Sequence, residues 1–151
     1  MKEKLLVSAC LLGTPCRYDG ASCPSAAVLR LCERFEPVPF CPETAGGLPT
    51  PRIPSEIVGE RVLNREGEDV TAAFVRGALT AVETARLHGI TRAVLKSHSP
   101  SCGKGAVYDG SFSGTLTAGD GVTAAMLRKE GVQIYTECET EELLSSVEDN
   151  E

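Results

Sequence analysis

Short apolar stretches alternate along this chain with longer segments whose apolar residues recur every three or four positions. The short stretches are rich in Leu, Val and Ile, which is typical of parallel strands buried on both faces. They predict strands at residues 4–9, 36–41, 91–95 and 132–135. The longer segments have helical periodicity and predict helices at residues 24–35, 72–88, 120–130 and 141–147.

Strands that alternate with helices indicate a parallel sheet covered on both faces. We therefore predict a single-domain α/β fold, Rossmann-like, with a mostly parallel sheet of about four to five strands and helices on both faces. Residues 57–70 are predicted to form a small hairpin or an edge strand, and residues 41–56 are too rich in Pro and Gly to predict helix or strand. The domain is predicted to span residues 1–151, with an acidic tail at about 148–151.

Three of the predicted strands each lead to a cysteine. The first strand runs into Cys10, the second runs into Cys41, and the third reaches Cys102 through a turn rich in Ser, Pro and Gly. Because the carboxyl ends of parallel strands lie along one edge of a sheet, we expect the three thiols to meet there.

Composition narrows the chemistry of such a site. Seven cysteines is an odd number, and the N-terminal residues lack the apolar stretch of a secretory signal, so thiol or metal chemistry is favoured over a disulfide framework. The net charge of −6 disfavours non-specific binding to nucleic acid, and no apolar stretch has the ~20 residues of a membrane span. We predict a cytoplasmic protein that binds neither nucleic acid nor membranes and forms a monomer or a homodimer.

Converging thiolates are soft ligands that select zinc, copper(I) or iron–sulfur clusters. The chain lacks the C-x-x-C pairs that are common in structural zinc sites, and three cysteines on separate loops suit a 4Fe–4S cluster with one open iron. Two alternatives stay open. Cys16 could close a zinc or cluster site in a non-catalytic metal-binding protein, or Cys102 could be the nucleophile of a metal-free enzyme with His98 as its base.

Three ordered blocks of the sequence resemble those of the DUF523 family, which includes the 2-thiouracil desulfidases. The blocks read SACLLGTPCRYDG, CPETAGGLPTPRIPSE and LKSHSPSCGKGAVYDGSFSG, and they cover most of the chain from about Ser8 to Gly121. The resemblance implies a desulfidase that removes sulfur from a thiolated pyrimidine such as 2-thiouracil without redox chemistry and releases hydrosulfide.

The resemblance also implies roles for individual residues. Cys10, Cys41 and Cys102 correspond to three ligands of a 4Fe–4S cluster whose fourth iron is open. Glu43 and Ser101 correspond to the catalytic groups, with Glu43 as a general base or acid and Ser101 as a hydrogen-bond donor or proton relay. Cys16 is expected to be a near neighbour of the cluster rather than a ligand.

Overall fold

The computed structural model describes residues 2–148, so the predicted acidic tail beyond Glu148 lies outside the described residues. The strands in chain order are β1 (Glu3–Ser8), β2 (Phe35–Phe40), β3 (Ser55–Val58), β4 (Arg61–Asn64), β5 (Arg92–Leu95), β6 (Ala106–Tyr108), β7 (Leu116–Ala118) and β8 (Gln133–Thr136). The helices are α1 (Ala26–Leu31), α2 (Pro42–Ala45), α3 (Thr71–His88), α4 (Val122–Lys129) and α5 (Thr140–Glu148), and a 3-10 helix spans Ala9–Leu12. Within residues 2–148, no helix has the length and apolar character needed to cross a membrane.

A four-stranded parallel sheet forms the centre of the fold, in the order β2–β1–β5–β8. Successive residues of β1 point to opposite faces, as the pleat of a strand requires. Leu6 packs with apolar residues of α3 and α4, while Leu5 and Val7 pack with residues of α1 and α5. Helices therefore cover both faces, and the predicted Rossmann-like α/β class is confirmed.

Two hairpins extend from this sheet. Strands β3 and β4 pair in antiparallel fashion, which confirms the hairpin option for residues 57–70, although β3 begins earlier than predicted. Strands β6 and β7 form a second hairpin that the sequence did not predict. These strands have three residues each, too few to show the alternating pattern by which a strand is recognised.

The expectation that residues 41–56 contain no helix or strand is wrong at both ends. One helical turn, α2, begins directly after Cys41, and the first residue of β3 is Ser55. Pro42 occupies the first turn of α2, where a proline suits the start of a helix because its missing N–H has no partner there in any case. A helix of four residues is too short to show a 3.6-residue period.

Helix α2 lies directly against the backbone of α3, and two glycines permit this approach. A Cβ added at Gly46 would overlap the carbonyl oxygen of Ala73, and one added at Gly77 would overlap that of Pro42. The position of Cys41 and of the turn after it therefore depends on the absence of a side chain at Gly77.

Replacing Gly77 with Ala is expected to destabilise the protein by about 1–3 kcal/mol, since overpacking at a rigid contact forces the backbone apart. Helix propensity alone would predict the opposite sign, because Ala favours a helix interior over Gly by about 1 kcal/mol. Urea unfolding measures the change, with Glu83→Ala on the exposed side of α3 as the control. Unchanged or increased stability of the Gly77 variant would contradict the close contact between α2 and α3.

Candidate active site

A cavity of about 320 Å³ lies at the carboxyl edge of the sheet, and Cys10, Cys41 and Cys102 all line it. Cys10 follows β1 in the 3-10 helix, Cys41 follows β2 as the N-cap of α2, and Cys102 lies in the loop after β5. The structure thus brings together the three cysteines that the sequence predicted to meet.

The position of this cavity follows from the strand order. Strand β1 lies at the centre beside β5, and the chain continues outward to β2 on one side and to β8 on the other. The loops after β1 and β5 consequently diverge and leave a crevice, the usual ligand-binding position in open α/β sheets.

The surroundings of the cavity thiols raise their pKa values and so disfavour the thiolate form. Burial raises the pKa of Cys102 to about 12; the Ser8 hydroxyl, which hydrogen-bonds this thiol, acts in the opposite direction, while the Glu43 carboxylate raises the pKa further. Burial also raises the pKa of Cys10 to about 11, and the neighbouring Cys41 adds to that effect. Such thiols ionise only when a positive group compensates them, as a metal centre does.

Cys16 joins the same group. It is buried, it lines the cavity, and its pKa is raised to about 12 by burial and by the adjacent Cys41. The Cys41 thiol also lies 3.8 Å from the Cys16 carbonyl oxygen. The expectation that Cys16 is a near neighbour of the other cysteines therefore agrees with its position, whereas Cys32 and Cys138 are not among the residues that line the cavity.

The chemistry of the donors indicates what kind of group they suit. Cys10, Cys16, Cys41 and Cys102 line one cavity. Thiolates are soft ligands, and iron–sulfur clusters are held by cysteine thiolates. Within residues 2–148, no three side chains of His, Cys, Asp or Glu form a group that could hold a single metal ion.

The Glu43 carboxylate lines the same cavity as the cysteines and lies near enough to Cys102 to raise the pKa of that thiol. It lies in the first turn of α2, and its side chain is 17% exposed. The Arg52 Nε donates a hydrogen bond of 3.1 Å to Glu43 Oε1. The carboxylate is thus charge-paired and oriented, with one oxygen engaged by protein.

Arg52 connects three segments around the cavity, and its side chain is only 7% exposed. Besides Glu43, its guanidinium donates to the carbonyl oxygens of Cys16 at 2.9 Å and Pro49 at 3.1 Å. A planar guanidinium with several fixed donors suits this task better than the single ammonium of a lysine. Arg52 therefore holds the Cys16 loop, α2 and the proline-rich loop in one arrangement.

The two serines before Cys102 have different positions. Ser101 is 1% exposed, and its hydroxyl lies 2.9 Å from that of Thr123 on α4, so it is not among the residues that line the cavity. Ser99 does line the cavity, and its Oγ accepts hydrogen bonds of 3.0 Å from the N–H groups of Ser101 and Cys102. Its own proton is therefore available for donation. The motif S-P-S contains both hydroxyls and offers no means of ranking them.

The metal-free alternative needed His98 as a base beside Cys102. The His98 ring packs edge-on against Tyr108, with 6.2 Å between centroids, and is not among the lining residues. The lining does include side chains that the sequence did not identify, namely Phe40, Glu56, Arg65, Tyr108 and Phe112. Most of these belong to the two hairpins and their turns, which the sequence pattern did not place beside the cysteines.

Comparison with known proteins adds to this geometry. Residues 5–139 match the model of the family described as 2-thiouracil desulfurase. The chain is 41% identical over 150 residues to the uncharacterized protein YbbK of Bacillus subtilis (strain 168), covering 93% of this chain and 99% of YbbK. It is also similar to the solved structure of the 4Fe–4S-dependent thiouracil desulfidase TudS, with 48% identity, a TM-score of 0.92, and coverage of 97% of this chain and 99% of that one.

Proposed function

The chain belongs to the 2-thiouracil desulfurase family, and from this premise we propose that it is an iron–sulfur-dependent desulfidase. It removes sulfur from a thiolated pyrimidine such as 2-thiouracil and releases hydrosulfide. The observation that carries the proposal is the convergence of Cys10, Cys41, Cys102 and Glu43 on one cavity of about 320 Å³. That volume is within the range of small-molecule sites.

We assign the ligation of a 4Fe–4S cluster to Cys10, Cys41 and Cys102. Each follows a different strand of the sheet, so a group bound by all three is held by the rigid centre of the fold. When bound through three cysteines, such a cluster supplies an open iron that acts as a Lewis acid toward the thiocarbonyl sulfur.

Glu43 is proposed to activate the attacking water. Arg52 engages Oε1, and we assign the removal of a water proton to Oε2. The water oxygen then bonds to the ring carbon that carries sulfur, and Glu43 returns the first proton to the sulfur or to a ring nitrogen. The carbon–sulfur bond breaks as the remaining proton leaves the added oxygen and the uracil carbonyl forms. Water and thiouracil thereby give uracil and hydrogen sulfide or its anion, with no electron donor.

A hydroxyl beside Cys102 is proposed to hydrogen-bond the substrate. The family resemblance assigns this role to Ser101, while the lining of the cavity supports Ser99. Ser99→Ala is expected to lower kcat/KM by about tenfold through loss of one hydrogen bond to the substrate, and to lower stability as well, because the N–H groups of Ser101 and Cys102 lose their acceptor. Ser101→Ala is expected to lower stability without lowering kcat/KM, because it leaves the buried Thr123 hydroxyl without its partner and changes no residue that lines the cavity.

Steady-state release of hydrosulfide and urea unfolding, measured on both serine variants, separate these roles. Loss of turnover in Ser101→Ala, with normal stability and full iron content, would assign the direct role to Ser101. The cytoplasmic location, the absence of nucleic-acid and membrane partners, and the monomeric or homodimeric state stay predictions.

Anaerobic reconstitution with iron and sulfide, followed by iron quantitation and a hydrosulfide assay on 2-thiouracil, tests the proposed function. We expect about four irons per chain, the content of one cubane cluster, together with release of hydrosulfide. Binding of four irons without release of hydrosulfide would support the proposed cluster and would exclude 2-thiouracil as the substrate. No bound iron under anaerobic conditions would overturn the proposal.

A further inference from the structure

Phe112 has an unusual backbone conformation for a bulky residue. It lies in the turn between β6 and β7, lines the cavity, and has a φ of 57°. A positive φ in a non-glycine residue costs of order 1 kcal/mol and persists only where the surroundings enforce it. Such strain is frequent at ligand-binding positions. The contacts that maintain it in this turn therefore bear on the role of Phe112.

Glu56 enforces the conformation. This residue of β3 is 8% exposed, and its Oε1 accepts hydrogen bonds from the N–H groups of Gly110 at 2.9 Å and Phe112 at 3.1 Å. A carboxylate oxygen that accepts two backbone N–H groups holds the backbone firmly, because charge-assisted hydrogen bonds are stronger than neutral ones. The turn between β6 and β7 is thus attached to the other hairpin at the position of the aromatic ring.

A glycine makes this attachment possible. Gly110 has a φ of 94°, and a Cβ added there would come within 2.8 Å of the Ile57 carbonyl oxygen. The turn therefore lies with its backbone directly on β3. Arg65, which follows β4, adds a contact of its own, since its guanidinium lies 5.8 Å from the centroid of the Phe112 ring. Carboxylate, backbone and guanidinium together define where the ring lies in the cavity wall.

Resting on the proposed function, we propose that Phe112 determines specificity for planar ring substrates and that Glu56 is the residue that positions it. Phe112 presents an apolar, aromatic surface to the flat pyrimidine, while the cysteines and Glu43 line the same cavity. A preset ring loses little conformational freedom on binding, which is the advantage of preorganisation. Glu56 acts only through Phe112 and takes no part in the chemical step.

The test compares four variants of the reconstituted protein. Phe112→Leu removes the aromatic ring and Phe112→Tyr keeps it. Glu56→Ala removes the carboxylate, whereas Glu56→Gln retains an oxygen that accepts the two N–H groups without the charge. Three constants are measured on each variant. KM and kcat for 2-thiouracil separate substrate binding from turnover, and the Kd for uracil reports ring binding without any chemistry.

Phe112→Leu is expected to raise both the KM for 2-thiouracil and the Kd for uracil about tenfold, the effect of losing one base–aromatic stacking contact, with kcat and iron content nearly unchanged. Phe112→Tyr should retain the wild-type values. Glu56→Ala should follow Phe112→Leu, and Glu56→Gln should restore most of the affinity. The Gln variant and the two Phe112 variants keep the test decisive should Glu56→Ala fail to fold.

A Kd for uracil that is unchanged in Phe112→Leu, or a loss confined to kcat, would overturn this inference. Failure of the reconstituted wild type to release hydrosulfide would instead exclude 2-thiouracil as the substrate, and failure to bind iron would overturn the proposed function. Uracil binding is measured separately and still decides the inference in either case. Absence of uracil binding by the wild type would overturn the inference as well.

Discussion

Replacing Cys102 with Ser is expected to abolish assembly of the iron–sulfur cluster and, with it, all release of hydrosulfide. The Cys102 side chain is buried beside Cys10 and Cys41, so its removal takes away one of three proposed ligands. A serine hydroxyl is a hard and weakly acidic donor that does not replace a thiolate toward iron in such a cluster. Iron and sulfide quantitation after anaerobic reconstitution, together with the visible absorption of the cluster, measures the loss.

Other cysteines of the chain provide matched controls for this result. Cys32→Ser and Cys138→Ser change thiols that are not among the residues lining the cavity, and both variants should keep full iron content and activity. Cys10→Ser and Cys41→Ser should behave like the Cys102 variant. Full iron content in any of the three ligand variants would contradict the assignment.

Cys16→Ser separates the desulfidase from the alternative of a closed, non-catalytic cluster. We expect this variant to keep about four irons, because three other cysteines suffice to hold a cubane with one open iron. Loss of the cluster would identify Cys16 as a fourth ligand and remove the open coordination position on which the proposed reaction depends.

Glu43→Gln is expected to lower kcat by about 10²–10⁴-fold, the usual contribution of a general acid or base, while the cluster assembles normally. The amide has the shape of the carboxylate and can still accept the hydrogen bond from Arg52 Nε through its oxygen. It cannot take a proton from water. Hydrosulfide release under saturating 2-thiouracil measures the loss, and iron quantitation shows that ligation is unaffected.

Glu139→Gln is the matched control for this variant. Glu139 is also paired with a cation, Lys104 at 2.9 Å, but it is not among the residues that line the cavity. Its replacement should leave kcat near the wild-type value. Retained turnover in Glu43→Gln with full iron content would assign proton transfer elsewhere and would contradict the proposed role of Glu43.

Much of the fold could be predicted because the four strands of the central sheet and the long helix α3 are strongly patterned. The stretch before Cys10 is buried on both faces, and α3 repeats its apolar residues over 18 positions, so the local sequence alone identifies each element. The parallel direction of these strands could also be predicted, since strands that alternate with helices are joined by crossover connections. The hairpin of β6 and β7 and the single turn of α2 escaped prediction because three or four residues carry no measurable period.

The convergence of Cys10, Cys41 and Cys102 is likewise a property of the sequence, because each cysteine follows a strand and parallel strands end at one edge. Only the tertiary structure decided which hydroxyl before Cys102 lines the cavity and that Arg52 orients Glu43. It also decided that Glu56 holds the turn of Phe112. The physical reason is the sequence separation of the interacting residues. Periodicity and strand ends are set by neighbours in the chain, whereas the orientation of a side chain in a loop is set by partners that are farther away in sequence.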